Sequence, residues 1–312
     1  MKIAFFGTPA FSVPVLEAIL NSGHEICVIV TQPDRPAGRK MELSASPIKT
    51  LALKHHLKIL QPESVKTPEF LATYKKFSPD LNLVVAFGQI MPEELIFFPP
   101  LHSINIHASL LPLWRGAAPI NAAIINGDRE TGISYQFIEK GLDTGDVLHS
   151  EKMLIGLSDT AITMYTKLSS LSGDTVLKVL DMLENRTYTR LKQEASKATY
   201  IKTLHKEDGK IDFHKDTLTI YNLVRGLLPW PGAFCFLEGK KIKVLSTGPC
   251  EELPTGNYSP GQIAAVSKSS GIVIKTGDGF ISLKEVQAEG GKKMEAYVFS
   301  LGQRDLQNKI LS

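Results

Sequence analysis

The chain has 312 residues, 43% hydrophobic and 21% charged, with a formal net charge of +3. That composition suits a globular chain long enough for two domains, and no apolar run approaches the roughly 18–20 residues that span a bilayer. Three cysteines (Cys27, Cys235 and Cys250) are far apart and lack CxxC spacing, which argues against a disulfide framework or zinc site and fits a reducing cytosol.

The first half alternates strand and helix signals. Residues 2–6 open as a strand, and a helix from about Ser12, with Pro14 in its first turn, stops at Asn21-Ser22-Gly23. Residues 26–30 are a near-continuous apolar run, the pattern of a strand buried on both faces. A polar loop over 31–47 leads to a helix at 48–55, a short strand at 57–60 and a helix at 68–77. Residues 81–86 and 103–107 are further strands. This alternation predicts an α/β fold with a doubly wound, mostly parallel, Rossmann-like sheet. The first βα turn, Gly7-Thr8-Pro9-Ala10-Phe11, lacks GxGxxG, so dinucleotide binding is a weak reading.

After Asp146 come a strand-like stretch to Leu154 and a helix over 160–183, with Met164, Leu168, Leu171, Val176, Val179, Leu180 and Leu183 at helical spacing. Residues 184–204 are polar and weakly patterned. A helix near 218–227 and short strands at 240–245, 261–266, 271–276 and 279–283 then predict a small OB-like β-barrel. The expected division is a catalytic domain over 1–188, a linker over 189–204 and a C-terminal domain over 205–312.

Candidate chemistry gathers at Asn105-Ile106-His107 and at Gly141-Leu142-Asp143-Thr144-Gly145. On a strand Asn105 and His107 point to one face while Ile104 and Ile106 point to the other. They stand at the carboxyl end of their strand, where open α/β sheets bind ligands. Glycines flanking Asp143 let its backbone approach closely and hold an unusual conformation.

Asn105-Ile106-His107-Ala108-Ser109-Leu110-Leu111-Pro112, Arg115-Gly116-Ala117-Ala118-Pro119-Ile120 and Leu142-Asp143-Thr144-Gly145-Asp146 resemble the signature of the folate-dependent formyltransferases. The resemblance implies a catalytic set of Asn105, His107 and Asp143, and a folate site lined by Ser109, Leu110, Leu111 and Pro112. The donor co-substrate would be 10-formyltetrahydrofolate, with no metal. An amine attacking the formyl carbon builds an oxyanion to which Asn105 can donate. His107 can donate a second hydrogen bond or share the proton traffic, and Asp143, or a water it holds, can take the amine proton.

The segment Thr31 to Arg39 resembles the loop that the family's methionyl-tRNA-acting branch inserts after its second strand, which assigns Arg39 and Lys40 to tRNA contact. The extra β domain and Leu228-Pro229-Trp230-Pro231-Gly232-Ala233 point to the same branch, with Trp230 expected in the core. Initiator methionyl-tRNA is therefore the expected acceptor, for a cytoplasmic monomer with no membrane partner. Two departures weaken the electrostatic grip: Glu42 and Leu113 stand where that branch carries basic residues. Residues 205–312 hold 14 Lys/Arg against 12 Asp/Glu, so any tRNA surface there is a local patch. The alternatives are a sugar or nucleotide N-formyltransferase with the same donor, and a non-catalytic RNA-binding protein.

Overall fold

A computed structural model describes the whole chain except residues 38–41, 251–253 and 308. In chain order the elements begin with β1 (Lys2–Gly7), α1 (Val13–Leu20), β2 (Glu25–Val30), β3 (Arg35–Ala37), β4 (Glu42–Ser44), α2 (Pro47–Lys54) and β5 (Ile59–Leu60). Next are α3 (Pro68–Lys75), β6 (Leu81–Val85), α4 (Glu93–Ile96), β7 (Ser103–His107), β8 (Arg115–Gly116) and α5 (Pro119–Asn126). They continue with β9 (Glu130–Phe137), β10 (Val147–Leu154), α6 (Ala161–Glu184), β11 (Tyr200–Ile201) and α7 (Thr217–Gly226). The last are β12 (Ala233–Leu237), β13 (Lys240–Gly248), β14 (Ile263–Ser267), β15 (Gly271–Lys275), β16 (Phe280–Ala288), β17 (Met294–Glu295) and α8 (Ala296–Leu301).

Two compact units result: Met1–Gly116, Glu130–Leu154 and Tyr165–Ile201 form the first, and Ala117–Arg129, Ile155–Met164 and Lys202–Ser312 the second. The first is built on a seven-stranded sheet of order β10-β9-β7-β6-β1-β2-β5. Its strands from β5 to β7 are parallel, whereas β9 runs antiparallel to β7 and β10 antiparallel to β9. The connection reverses direction at β1, with β2 on one side and β6 on the other, which is the doubly wound pattern. Strand β6 is buried along its length, and the polar Asn82 within it is satisfied. Its carboxamide accepts from Tyr74 Oη and donates to the Leu95 carbonyl and Ser103 Oγ, each at 2.9 Å. A buried amide so paired avoids the cost of an unmet hydrogen bond and ties β7 to its neighbour.

The apolar spacing of the long helix is realised in α6, where Met164, Leu168, Val176, Val179, Leu180 and Leu183 are buried. Leu171 alone of the predicted stripe is half-buried. Strand β9 and helix α5, absent from the predicted elements, occupy 119–137.

The second unit carries an antiparallel sheet of order β12-β13-β16-β15-β14, with β17 added beside β16. The last residues close it: Leu311 bridges Leu237 at the end of β12, and Ile310 bridges Gln262 just before β14. Closure removes two open sheet edges, and apolar side chains including Val244, Ile274, Ile281 and Val286 fill the interior. Trp230 departs from its expected place in the core. It is 52% exposed, flanked by Pro229 and Pro231 in the turn between α7 and β12, where the chain is outside both elements.

Candidate active site

Strand register sets the floor of the site. Asn105 lies opposite Val84 of β6 and Gln136 of β9, and His107 lies opposite Ser134 of β9. Residues directly opposite one another share a face, so Asn105, His107, Ser134 and Gln136 line one side of the sheet. Ile104, Ile106, Ile133 and Tyr135 take the other side and are buried.

The His107 side chain is 7% exposed. Its Nε2 lies 3.0 Å from the Trp114 carbonyl oxygen. A carbonyl can only accept, so Nε2 carries a proton and donates it there. Trp114 delivers that carbonyl from a left-handed backbone conformation, φ +57°, which is unusual for so large a side chain. Nδ1 then faces Asp143 Oδ2 at 3.7 Å, a charge-pairing distance too long for a direct hydrogen bond. The ring is thus held by a backbone carbonyl, and the carboxylate supplies a facing charge.

Asp143 is itself fixed. Its Oδ2 accepts from the Gly116 amide at 2.9 Å and its Oδ1 from Gln136 Nε2 at 2.8 Å. The residue sits at φ +52°, a region that Asp tolerates better than most. Two glycines make this approach possible. A Cβ on Gly145 would lie 1.8 Å from the Phe137 carbonyl oxygen. One on Gly116 (φ +114°) would lie 2.2 Å from that of Ile201.

Asn105 differs from its neighbours. Half-buried in the middle of β7, its carboxamide makes no hydrogen bond to any described residue. The arrangement therefore offers an N–H donor, an imidazole Nδ1 and a fixed carboxylate along one face.

Below His107 the chain turns through Ser109-Leu110-Leu111-Pro112. Ser109 is buried, donates to the Leu113 carbonyl at 2.5 Å, and its own carbonyl accepts from Ser134 Oγ at 2.8 Å. The Leu111 amide donates to the same Ser134 hydroxyl at 3.0 Å, so β9 holds this turn from below. Leu110, Leu111 and Pro112 are half-buried, leaving apolar surface beside the site. Arg39 and Lys40 lie outside the described residues. The base of their loop is described: Arg35 pairs with Glu63 at 2.5 Å, and Asp34 with Lys49 at 2.5 Å. Leu113 is 39% exposed. Ser134 and Gln136 are the site residues that sequence reasoning missed; the alternation Ile133-Ser134-Tyr135-Gln136-Phe137 is the period-2 signal that marks their strand. Among the described residues no group of three or more His, Cys, Asp or Glu is placed to hold a metal ion.

Residues 1–180 match the formyl transferase family, and residues 203–304 match that family's C-terminal domain. The chain belongs to the formyl transferases. Relatives that match it end to end are methionyl-tRNA formyltransferases. That of Geobacter metallireducens is 43% identical over 304 residues, covering 97% of this chain and 96% of the relative. That of Caldanaerobacter subterraneus subsp. tengcongensis is 41% identical over 312 residues, covering 100% of both. Among solved structures, the sugar 3N-formyl transferase WlaRD is similar at a TM-score of 0.67 and 21% identity, over 92% of this chain and 97% of its own. HypX from Aquifex aeolicus in complex with tetrahydrofolic acid gives 0.63 at 17% identity, over 99% of this chain and 48% of its own. At those identities the likeness is one of fold.

Proposed function

We propose that this chain transfers the formyl group of 10-formyltetrahydrofolate to the free amino group of methionine on initiator tRNA, giving the formylated initiator for translation. The observation that carries the chemistry is the juxtaposition of an amide with no hydrogen-bond partner among the described residues, an imidazole with Nδ1 turned inward, and a fixed carboxylate. Asn105 Nδ2–H would donate to the oxygen that becomes anionic as the amine adds to the formyl carbon, when a positioned donor is worth most. His107 Nδ1 would accept the amine proton, the resulting imidazolium facing Asp143 Oδ2 at 3.7 Å. The leaving folate nitrogen then takes a proton as the carbon–nitrogen bond breaks. Leu110, Leu111 and Pro112 would pack against the folate, on the turn that Ser109 braces.

Identity along the full chain to methionyl-tRNA formyltransferases favours charged tRNA over a sugar nucleotide as acceptor. Arg39 and Lys40 would meet the tRNA, with the C-terminal unit over 205–312 adding a local basic patch. We assign 1–188 to catalysis and 189–204 to the connection, in a cytoplasmic monomer. No helix of the described residues is long and apolar enough to cross a membrane. The test is transfer of labelled formyl from 10-formyltetrahydrofolate to charged initiator tRNA, with elongator methionyl-tRNA and a nucleotide-linked amino sugar as competing acceptors. Label on the initiator is expected. Label on the amino sugar alone would replace this reading with the sugar-formylating one.

A further inference from the structure

The segment 191–197 is exposed at every residue except Gln193, which is half-buried. Its carboxamide uses both ends. Oε1 accepts from Arg115 Nε at 3.1 Å and from Arg115 Nη2 at 2.8 Å. Nε2 donates to the carbonyl oxygens of Asp143 at 2.9 Å and Gly145 at 2.7 Å. One side chain thus spans from a guanidinium to the two carbonyls that bracket the tight part of the acidic loop.

Arg115 is unusual in its own right. It is 4% exposed, yet its partners are neutral: Gln193 and the hydroxyl and ring of Tyr200. It pairs with no carboxylate among the described residues. A buried guanidinium needs its N–H groups filled, and Gln193 Oε1 takes two of them. Arg115 also stands between the two backbone groups that hold the catalytic side chains, the Trp114 carbonyl on His107 Nε2 and the Gly116 amide on Asp143 Oδ2.

We infer that Gln193 is a positioning residue for formyl transfer: it locks the Asp143 loop to the Trp114-Arg115-Gly116 backbone that holds His107. The inference rests on Asp143 being the acid of the site. A half-ångström drift of that carboxylate would alter its distance to Nδ1, and misplacement of about 1 Å at a reacting centre costs on the order of 100-fold in rate. The Gln193 carboxamide is engaged by Arg115 and by the Asp143 and Gly145 carbonyls, so its loss should lower kcat and spare KM.

Gln193→Glu separates the two ends. A carboxylate still accepts from Arg115, now as an ion pair, but it cannot donate to the Asp143 and Gly145 carbonyls. The experiment is a cycle of wild type, Q193E, D143N and the double variant, with kcat, both KM values and the thermal midpoint measured for each. Q193E is expected to keep its midpoint within about 4 °C. Its kcat should fall about 10- to 100-fold with both KM values within about threefold. Added to D143N it should cause no further loss, because its effect runs through Asp143. A merely structural glutamine would lower the midpoint and multiply with D143N. A Q193E enzyme with near-normal kcat beside an impaired D143N would overturn the inference alone. An unimpaired D143N would overturn the role of Asp143 and the inference with it. Should Q193E lose its cooperative transition, Gln193→Met is read by the same criteria.

Discussion

Because the Trp114 carbonyl can only accept, the hydrogen bond to it ties up His107 Nε2–H and leaves Nδ1 as the ring atom with a lone pair to offer. Under the proposed function the histidine is then a base with one defined direction of action. Replacing His107 with Asn keeps a polar side chain but removes the proton acceptor. The variant should lose at least about 100-fold in kcat while its Kd for charged tRNA stays within about threefold. Filter binding alongside steady-state kinetics checks both numbers. Much of this was legible at the residue level: strand parity places Asn105 and His107 together, and flanking glycines mark Asp143. The Trp114 carbonyl was not, because a backbone atom leaves no side-chain signature. Gln136 escaped for another reason. Its strand, β9, was not among the predicted elements, so nothing placed Gln136 opposite Asn105, where it is 2% exposed.

Elements with strong apolar runs, β1, β2 and β6, announce themselves because burial on both faces demands such sequences, and β7 shows itself by alternation. Strands β3 and β4 do not, since three residues each cannot establish a period. Helix α5, Pro119–Asn126, went unread although it is as long as α1, α2 and α3 and is ended by Gly127 in the left-handed conformation. Helix α7 carries the clearest electrostatic signature of any cap. Asp216 accepts from the Thr219 hydroxyl at 2.6 Å and from its amide at 2.8 Å. Those bonds, the hydroxyl's first, hold its carboxyl below the ordinary value. A depressed folded pKa means the stabilisation is full above the unfolded value of about 3.9 and fades as pH falls through the lower folded one. Asp216→Asn keeps a competent cap without the charge, so its stability relative to wild type should improve on acidification from pH 5 to pH 2.5. Urea midpoints of the two proteins across that range test it.

At the scale of the whole molecule, order along the sheet explains where the site is. The parallel strands point their carboxyl ends one way, and the chain reverses direction at β1. Strand β7 stands next to β6 beside that reversal, and β9 runs back along it with Ser134 and Gln136. Sequence alternation carried the doubly wound half of this picture. It could not carry the closure of the second unit, which depends on a chain-terminal stretch too short to pattern: the Ile263 amide donates to the Lys309 carbonyl, and Phe236 and Ser312 exchange backbone hydrogen bonds. The acceptor, too, is a property of the whole chain, since relatives similar from end to end act under the name of methionyl-tRNA formyltransferase. The most direct measurement is single-turnover transfer of labelled formyl to charged initiator tRNA, both substrates saturating, by wild type and Asn105→Ala. Wild type should label the tRNA, and the variant should be slower by about 100- to 1000-fold with tRNA binding unchanged, the loss of one oxyanion donor. A variant rate within fivefold of wild type, or a wild type that leaves the tRNA unlabelled, would contradict the account.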